Sequence, residues 1–299
     1  MSLIECVPNI SEGRRPEVVD RCAAAIGAAA SLLDVTSDRV HHRSVLTFAG
    51  EPAAVRTAAL ALFDVALATI DLRRHQGEHP RVGAVDVVPF VPLGDTTMDE
   101  CVELAHSLGE TVADRFGLPV YLYERASRPG AYRRLEEIRR GGLPALAARM
   151  SGAGWRPDFG PPLPHPTAGV TVIGARPPLV AYNVELATDH LEIARAIARA
   201  VRQSSGGLPA VKAIGIALAD RGIVQVSMNL TDFRTTSITE AFDAVDAGAR
   251  ARGVSVIGSE LIGLAPAAAL TPNVAAHVRL RDFDEQRMVL ERRLATVRP

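Results

Sequence analysis

Between Leu179 and Leu261 the chain alternates strand-like and helix-like stretches in the order strand, helix, strand, strand, helix, strand. Few folds accept that order, and the ferredoxin-like fold is the commonest of them. Leu179–Leu186, Ala210–Leu218, Val224–Leu230 and Val254–Leu261 are apolar runs of strand length. Asp189–Arg202 and Thr239–Arg252 carry apolar residues at helical spacing. The turn Asp220-Arg221-Gly222 joins the middle two strands, and Gly253 stops the second helix. The tail from Thr271 is charged, with an appended helix predicted over Asp282–Leu294.

The first half reads as a second α/β layer. Ser2–Pro8 is a strand and Asn9–Gly13 a polar turn, with Ser11 and Glu12 offering capping groups to a helix from Pro16 to Ala30. Strands Ser31–Val35 and Ser44–Phe48 flank a charged loop, TSDRVHHR, and a helix follows over Glu51–Ile70. The run Ala84–Val91 is a strand, Thr96 or Thr97 caps a helix ending near Phe116, and Pro119–Tyr123 is a further strand. Arg133–Arg140 and Pro144–Met150 are short helical pieces, and Val170–Gly174 is a strand. No Gly-x-Gly-x-x-Gly follows any strand, which excludes the dinucleotide-binding arrangement. The predicted class is α/β (α+β) with two subdomains, 1–178 and 179–299. Each is a mixed or antiparallel sheet with helices on one face, the second being ferredoxin-like.

A chain with 47% hydrophobic and 22% charged residues has the make-up of a soluble globular protein. A net charge of −1 gives no reason to expect nucleic acid or an anionic membrane as partner. Cys6, Cys22 and Cys101 are too scattered for a disulfide framework or a zinc motif, and read as buried thiols. No run of about 20 apolar residues is present, so no membrane span is expected. Without a basic segment leading into an apolar one at the N-terminus, the expected compartment is the cytoplasm.

The richest stretch chemically is Ile70–Pro92, where a polar turn feeds a buried strand. It holds His75 and His79, with Glu78 beside the latter. Three readings of the pair stand open: two metal ligands, a general acid or base at His79 oriented by a carboxylate, or a histidine on an ordinary turn. Gly77 and Pro80 work against a regular helix across the pair, and no His-Glu-x-x-His is present. A second cluster lies in Thr36–Arg43, with Asp38, Arg39, His41, His42 and Arg43; arginine there suits a carboxylate, which it clamps with two parallel hydrogen bonds. In Gln225–Asp232 a strand interior holds Gln, Ser and Asn together, which calls for partners. Ser151–Gly169 is dense in proline and glycine and contains Trp155 and Phe159, aromatics that argue for a structured functional loop over a free linker. Neither Gly-x-Ser-x-Gly nor a phosphate loop occurs.

Taken together, the segments ECVPNISEG, HRSVLTFAG, RRHQGEHPRVGAVDVVPFVPL, PVYLYE, WRPDFGP, GVTVIGAR, AYNVEL, QVSMNLTD and GSELIGLAP resemble the glutamate formiminotransferases, folate-dependent enzymes of histidine breakdown. The similarity runs from Ile4 to Leu270 and concerns the transferase half alone, without the cyclodeaminase half fused to it in animals. The resemblance implies two α/β subdomains, a homodimer, and folate held between the subdomains. It implies transfer of the formimino group from N-formimino-L-glutamate to N5 of tetrahydrofolate, as co-substrate, with no metal. It makes His79 the catalytic histidine. Folate contacts fall on Gly160, Pro161, Pro162, Leu163, Pro164, His165, Pro166, Thr167, Ala168 and Gly169. Substrate contacts fall on Asp38, His42, Arg43, Glu78, Arg81 and Asn183, and Arg176 is a further cation by position. Thr36 stands where the family has aspartate and His42 where it has asparagine; these departures leave open a folate-binding paralogue with altered or lost transfer.

Overall fold

The computed structural model describes residues 2–76, 81–129, 131, 133–152 and 154–297. The chain divides into two compact units, Met1–Arg176 and Pro177–Pro299.

The first unit is built on one mixed sheet. Strands β1 (Leu3–Cys6) and β2 (Asn9–Ile10) lead into helix α1 (Pro16–Gly27), strands β3 (Ser31–Asp38) and β4 (Arg43–Gly50), and helix α2 (Pro52–Thr69). A single 3-10 turn, Leu72–Arg74, precedes β5 (Val85–Leu93). Then come α3 (Met98–Phe116), β6 (Val120–Glu124), α4 (Leu135–Ile138), α5 (Gly142–Arg149) and β7 (Thr171–Ala175). β1 and β2 each pair antiparallel with both β4 and β5, so together they form one interrupted central strand. Pro8 has no N–H to give the ladder. Its carbonyl still accepts from Leu46 at 3.1 Å, and the Val7 N–H donates to Pro89 O at 3.2 Å. The sheet therefore reads β3, β4, β1/β2, β5, β7, β6, with β5, β7 and β6 parallel.

Two differences from the sequence reading have simple causes. Asn9–Ile10, expected as a turn from its polar neighbours, is strand because Ile10 is fully buried in the core. The second difference is an addition. Val88, Phe90, Leu122 and Ile173 face the core under α1, α2 and α3. Their neighbours Val87, Tyr121, Tyr123 and Val172 point the other way, and Ile138, Leu146 and Met150 from α4, α5 and its C-cap cover them. Parallel strands need cover on both faces, so short helices close the second one. Thr97 caps α3 with a full capping box to Glu100. Thr96 instead ties down β1, accepting from Leu3 N–H at 2.7 Å and donating to Leu3 O at 2.8 Å.

The second unit runs β8 (Val180–Leu186), α6 (Leu191–Val201), β9 (Val211–Leu218), β10 (Ile223–Leu230), α7 (Ile238–Arg250) and β11 (Val256–Ile262). Its sheet order is β11-β8-β10-β9, antiparallel throughout, which is the ferredoxin-like arrangement. The tail forms α8 (Pro272–His277), α9 (Glu285–Met288) and α10 (Leu290–Val297). The single helix predicted over Asp282–Leu294 is broken at Val289, whose ψ is 121°. Val289 is buried, and Ala265 holds the backbone on either side of it: Ala265 N–H donates to Met288 O and Ala265 O accepts from Leu290 N–H. Burying one valine and satisfying two backbone groups outweighs continuing an exposed helix. The tail is thus part of this unit's own core.

Gly83 marks the tightest backbone approach in the first unit. A Cβ there would stand 1.8 Å from Val170 O, and that carbonyl belongs to the backbone and cannot swing away. Gly83→Ala is expected to cost at least about 1–3 kcal/mol of stability, read as a lowered urea midpoint at unchanged slope.

Candidate functional site

The site is organised by a buried carboxylate. Glu12 sits between β2 and α1 with its side chain 1% exposed. Its Oε1 accepts the backbone N–H groups of Gly13, Arg14 and Arg15 at 3.0, 2.9 and 3.0 Å, and its Oε2 accepts from Arg15 Nε at 2.6 Å. Burial alone would push this carboxyl up. The N–H groups of Arg14 and Arg15, the Arg15 guanidinium and His42 outweigh it and hold it down at about 2. The capping expected of Ser11 and Glu12 is not made: Glu12 takes N–H groups upstream of the helix, Ser11 donates to Gly83 O, and Arg15 at the N-cap makes no side-chain cap.

The β3–β4 turn is brought against Glu12 by a close backbone crossing. A Cβ on Gly13 would meet Asp38 O at 2.3 Å and Arg43 N at 2.7 Å. Within the turn, Asp38 accepts from His41 N–H at 2.8 Å and pairs with His41 Nδ1 at 2.6 Å. Burial would raise the Asp38 carboxyl, but the hydrogen bonds from His41 hold it at about 2. His42 follows with φ 49°, a left-handed backbone that non-glycine residues adopt rarely, His, Asn and Asp among the least unwilling. Its Nε2 lies 3.0 Å from Glu12 Oε1 and its Nδ1 2.9 Å from Gln76 O.

The His42 ring also stacks on His75, with centroids 3.9 Å apart and planes inclined by 16°. His75 Nε2 is 3.0 Å from His42 O, and its Nδ1 meets an Nη of Arg81. Burial, then the charges of Arg81 and His42, push His75 down to about 4. One turn of sheet away, Asp86 at the start of β5 accepts from Val82 N–H at 2.6 Å and Gly83 N–H at 3.1 Å, and pairs with Arg139. Arg43 is near enough to feel them. Burial and then the Arg139 charge pull it down to about 10, with Asp38 and Asp86 pulling the other way.

The proline-rich loop is ordered where it is described. Trp155 lies under the Arg149 guanidinium, 4.1 Å from ring centre, and its carbonyl accepts from Tyr121 OH at 2.6 Å. Asp158 accepts from Leu122 N–H at 2.8 Å and pairs with Arg133. At its far end His165 and Gly169 exchange backbone hydrogen bonds at 2.7 and 2.9 Å, and His165 Nδ1 accepts from Ala168 N–H at 3.1 Å. That closed end holds the histidine segment on both sides. Thr167 O accepts from Leu72 N–H at 2.8 Å and Ala168 O from Ala84 N–H at 2.9 Å.

The first unit thus gathers Asp38, His42, Arg43, Arg81 and the described loop residues 160–169 around the ends of segment 75–81. His79 and Glu78 lie outside the described residues. Asn183 belongs to the second unit, where its Nδ2 donates to Glu260 Oε1 at 2.8 Å. Beside it the fully buried Glu185 takes Arg221 at 2.5 Å and Arg281 at 2.6 Å. Gln225 is buried on the same strand set, and its Oε1 has no hydrogen-bond partner among the described residues. Sequence reasoning missed Glu12 as a partner of His42, and it missed Asp86, Arg139 and Arg149. The one signal for Glu12 was a carboxylate just before a helix that begins with proline.

Fold and site define a two-unit α/β protein whose first unit holds His42 and Arg15 on a buried, ionised acid. Residues 3–176 match the formiminotransferase domain, N-terminal subdomain, and residues 181–293 match the formiminotransferase domain. The chain is 43% identical to a glutamate formimidoyltransferase of Streptococcus pyogenes serotype M1, over 98% of each chain. It is equally 43% identical to one of Thermoplasma acidophilum, again over 98% of each. A formimidoyltransferase-cyclodeaminase of Gallus gallus is 43% identical over 90% of this chain and 51% of its own length. The chain belongs to the formiminotransferase family.

The titrations set a sign. Glu12 is held below its ordinary value of 4.5, so its contribution is present above that pH and is lost as pH falls toward 2. His75 is held below 6.5, so folding favours its neutral form and stability is lost as pH falls from 6.5 toward 4. Glu12→Gln should therefore destabilise the protein by about 2–3 kcal/mol at neutral pH. The gap from wild type should narrow in acid, checked by urea unfolding of both proteins at pH 7 and pH 3.

Proposed function

We propose that this protein transfers the formimino group from N-formimino-L-glutamate to N5 of tetrahydrofolate, giving 5-formiminotetrahydrofolate and glutamate. The observation that carries the reading is the similarity to glutamate formimidoyltransferases along almost the whole of both chains. Supporting it, the two stretches needed for the two substrates are neighbours in space: the closed end of the 160–169 loop holds both flanks of segment 75–81.

In the reaction N5 attacks the amidine carbon, a new C–N bond forms and N5 gives up its proton. The bond from that carbon to the glutamate nitrogen then breaks, and the nitrogen takes up a proton. His79 is the group for both transfers, a base first and an acid second. Its neighbour His75 is unsuited, because its Nδ1 already faces Arg81 and its Nε2 faces His42 O. Arg43 and Arg81 supply positive charge for the substrate carboxylates. Much of the rate comes from holding two substrates at the right angle. The same reading carries a cytoplasmic homodimer.

His79→Ala should lower transfer to tetrahydrofolate by about 10²–10⁴-fold while folate binding, followed by fluorescence quenching, stays close to wild type. Wild-type turnover in that variant would sink the role of His79. A wild-type protein that binds folate but transfers from no formimino donor would sink the transferase reading. His165→Ala removes the acceptor that closes the loop. It should raise the KM for tetrahydrofolate several-fold and leave the KM for formiminoglutamate nearly unchanged, measured in steady state.

A further inference from the structure

We infer that His42 is a positioning residue for this transfer: a doubly protonated ring, held by ionised Glu12, that fastens the Gln76 end of the segment carrying His79. The inference rests on the reading of His79 as the proton carrier.

The hydrogen-bond partners fix where the protons are. His42 Nδ1 faces a backbone carbonyl, Gln76 O at 2.9 Å, and a carbonyl oxygen only accepts. That nitrogen therefore carries a proton. Nε2 faces Glu12 Oε1 at 3.0 Å, and this carboxylate already accepts three backbone N–H groups and a guanidinium, which leaves it the acceptor again. Nε2 carries a proton too, and the ring is an imidazolium.

The same accounting gives the opposite answer for the ring stacked on it. His75 Nε2 faces His42 O and must donate. Its Nδ1 faces Arg81 Nη1, and a guanidinium has only donors, so Nδ1 is bare and His75 is neutral. Two imidazolium rings with centroids 3.9 Å apart would repel; one charged and one neutral ring do not. The depressed titration of His75 agrees.

Among the described residues three ties run between the turn and the segment: the ring stack, the bond from His75 Nε2 to His42 O, and the bond from His42 Nδ1 to Gln76 O. All pass through His42. Its left-handed backbone, strained for a non-glycine residue, persists because the side chain is held at both ring nitrogens. Among the described residues, the titratable and charged groups near the ring are Glu12 and Arg15 from the β2–α1 connection, His75 and Arg81 from the segment after the 3-10 turn, and Asp38, His41 and Arg43 from its own turn. Among the described residues Glu12 is the acid bonded to the ring.

The experiment joins ¹⁵N-histidine NMR of the whole protein to steady-state kinetics. At pH 7 wild type should show one histidine protonated on both nitrogens, absent in His42→Phe, and one neutral ring protonated on Nε2, absent in His75→Phe. A neutral His42 at that pH overturns the proposal without any variant having to be active. His42→Phe keeps the flat ring on His75 and removes both donors. Its kcat should fall at least about tenfold with both KM values within about twofold of wild type. His42→Asn tolerates the left-handed backbone and can donate to one partner, so it should recover part of kcat. Wild-type kcat in both variants, or a change confined to KM, overturns the proposal. Full activity in His79→Ala with the predicted His42 spectrum would instead remove the His79 reading and leave the protonation of the latch standing.

Discussion

A carboxylate taken out of water must be met by donors or it will not stay charged. Glu12 is met by backbone N–H groups from three successive residues and by two side chains, and the first unit's candidate site is arranged about that charge. Its donors come from the β2–α1 connection and from the β3–β4 turn. The same contacts that pay for its burial therefore fix the angle at which helix, hairpin and histidine segment meet. Asp86 repeats the device on β5, with two backbone donors and Arg139. Two buried carboxyl groups anchored to backbone brace this edge of the sheet, Glu12 holding His42 and Arg15 and Asp86 holding Arg139.

Much of the fold was readable because its signals are local. The second unit's element order, the capping box at Thr97 and Glu100, and the strand periods in the first unit follow from residues within a few positions of one another. The misses share a different cause. Asn9–Ile10 looks like a turn until the burial of Ile10 between β4 and β5 is known, and Val289 looks helical until Ala265 claims the backbone on both sides of it. Pairing partners far away in the chain decided both.

The site divides along the same line. Asp38 and His41 are three residues apart, and their pairing could be suspected from spacing. Glu12 and His42 are 30 residues apart and His42 and Gln76 are 34 apart, and no spacing rule reaches that far. The sequence did mark the histidine segment and the proline-rich loop as unusual, each on its own chemistry. That they share hydrogen bonds is a property of the sheet, which sets the start of β5 beside the start of β7.

Those shared bonds have a mechanical consequence. Leu72 and Ala84 bracket the histidine segment, and both are hung from consecutive carbonyls of one loop, Thr167 and Ala168. Loop and segment are therefore not two independently moving parts but one frame with two crossbars. Anything that stiffens the loop also restricts Leu72 and Ala84, and the free energy of that restriction is felt equally in the other direction. A pair of substrates held by such a frame would help each other to bind, with no contact between them required.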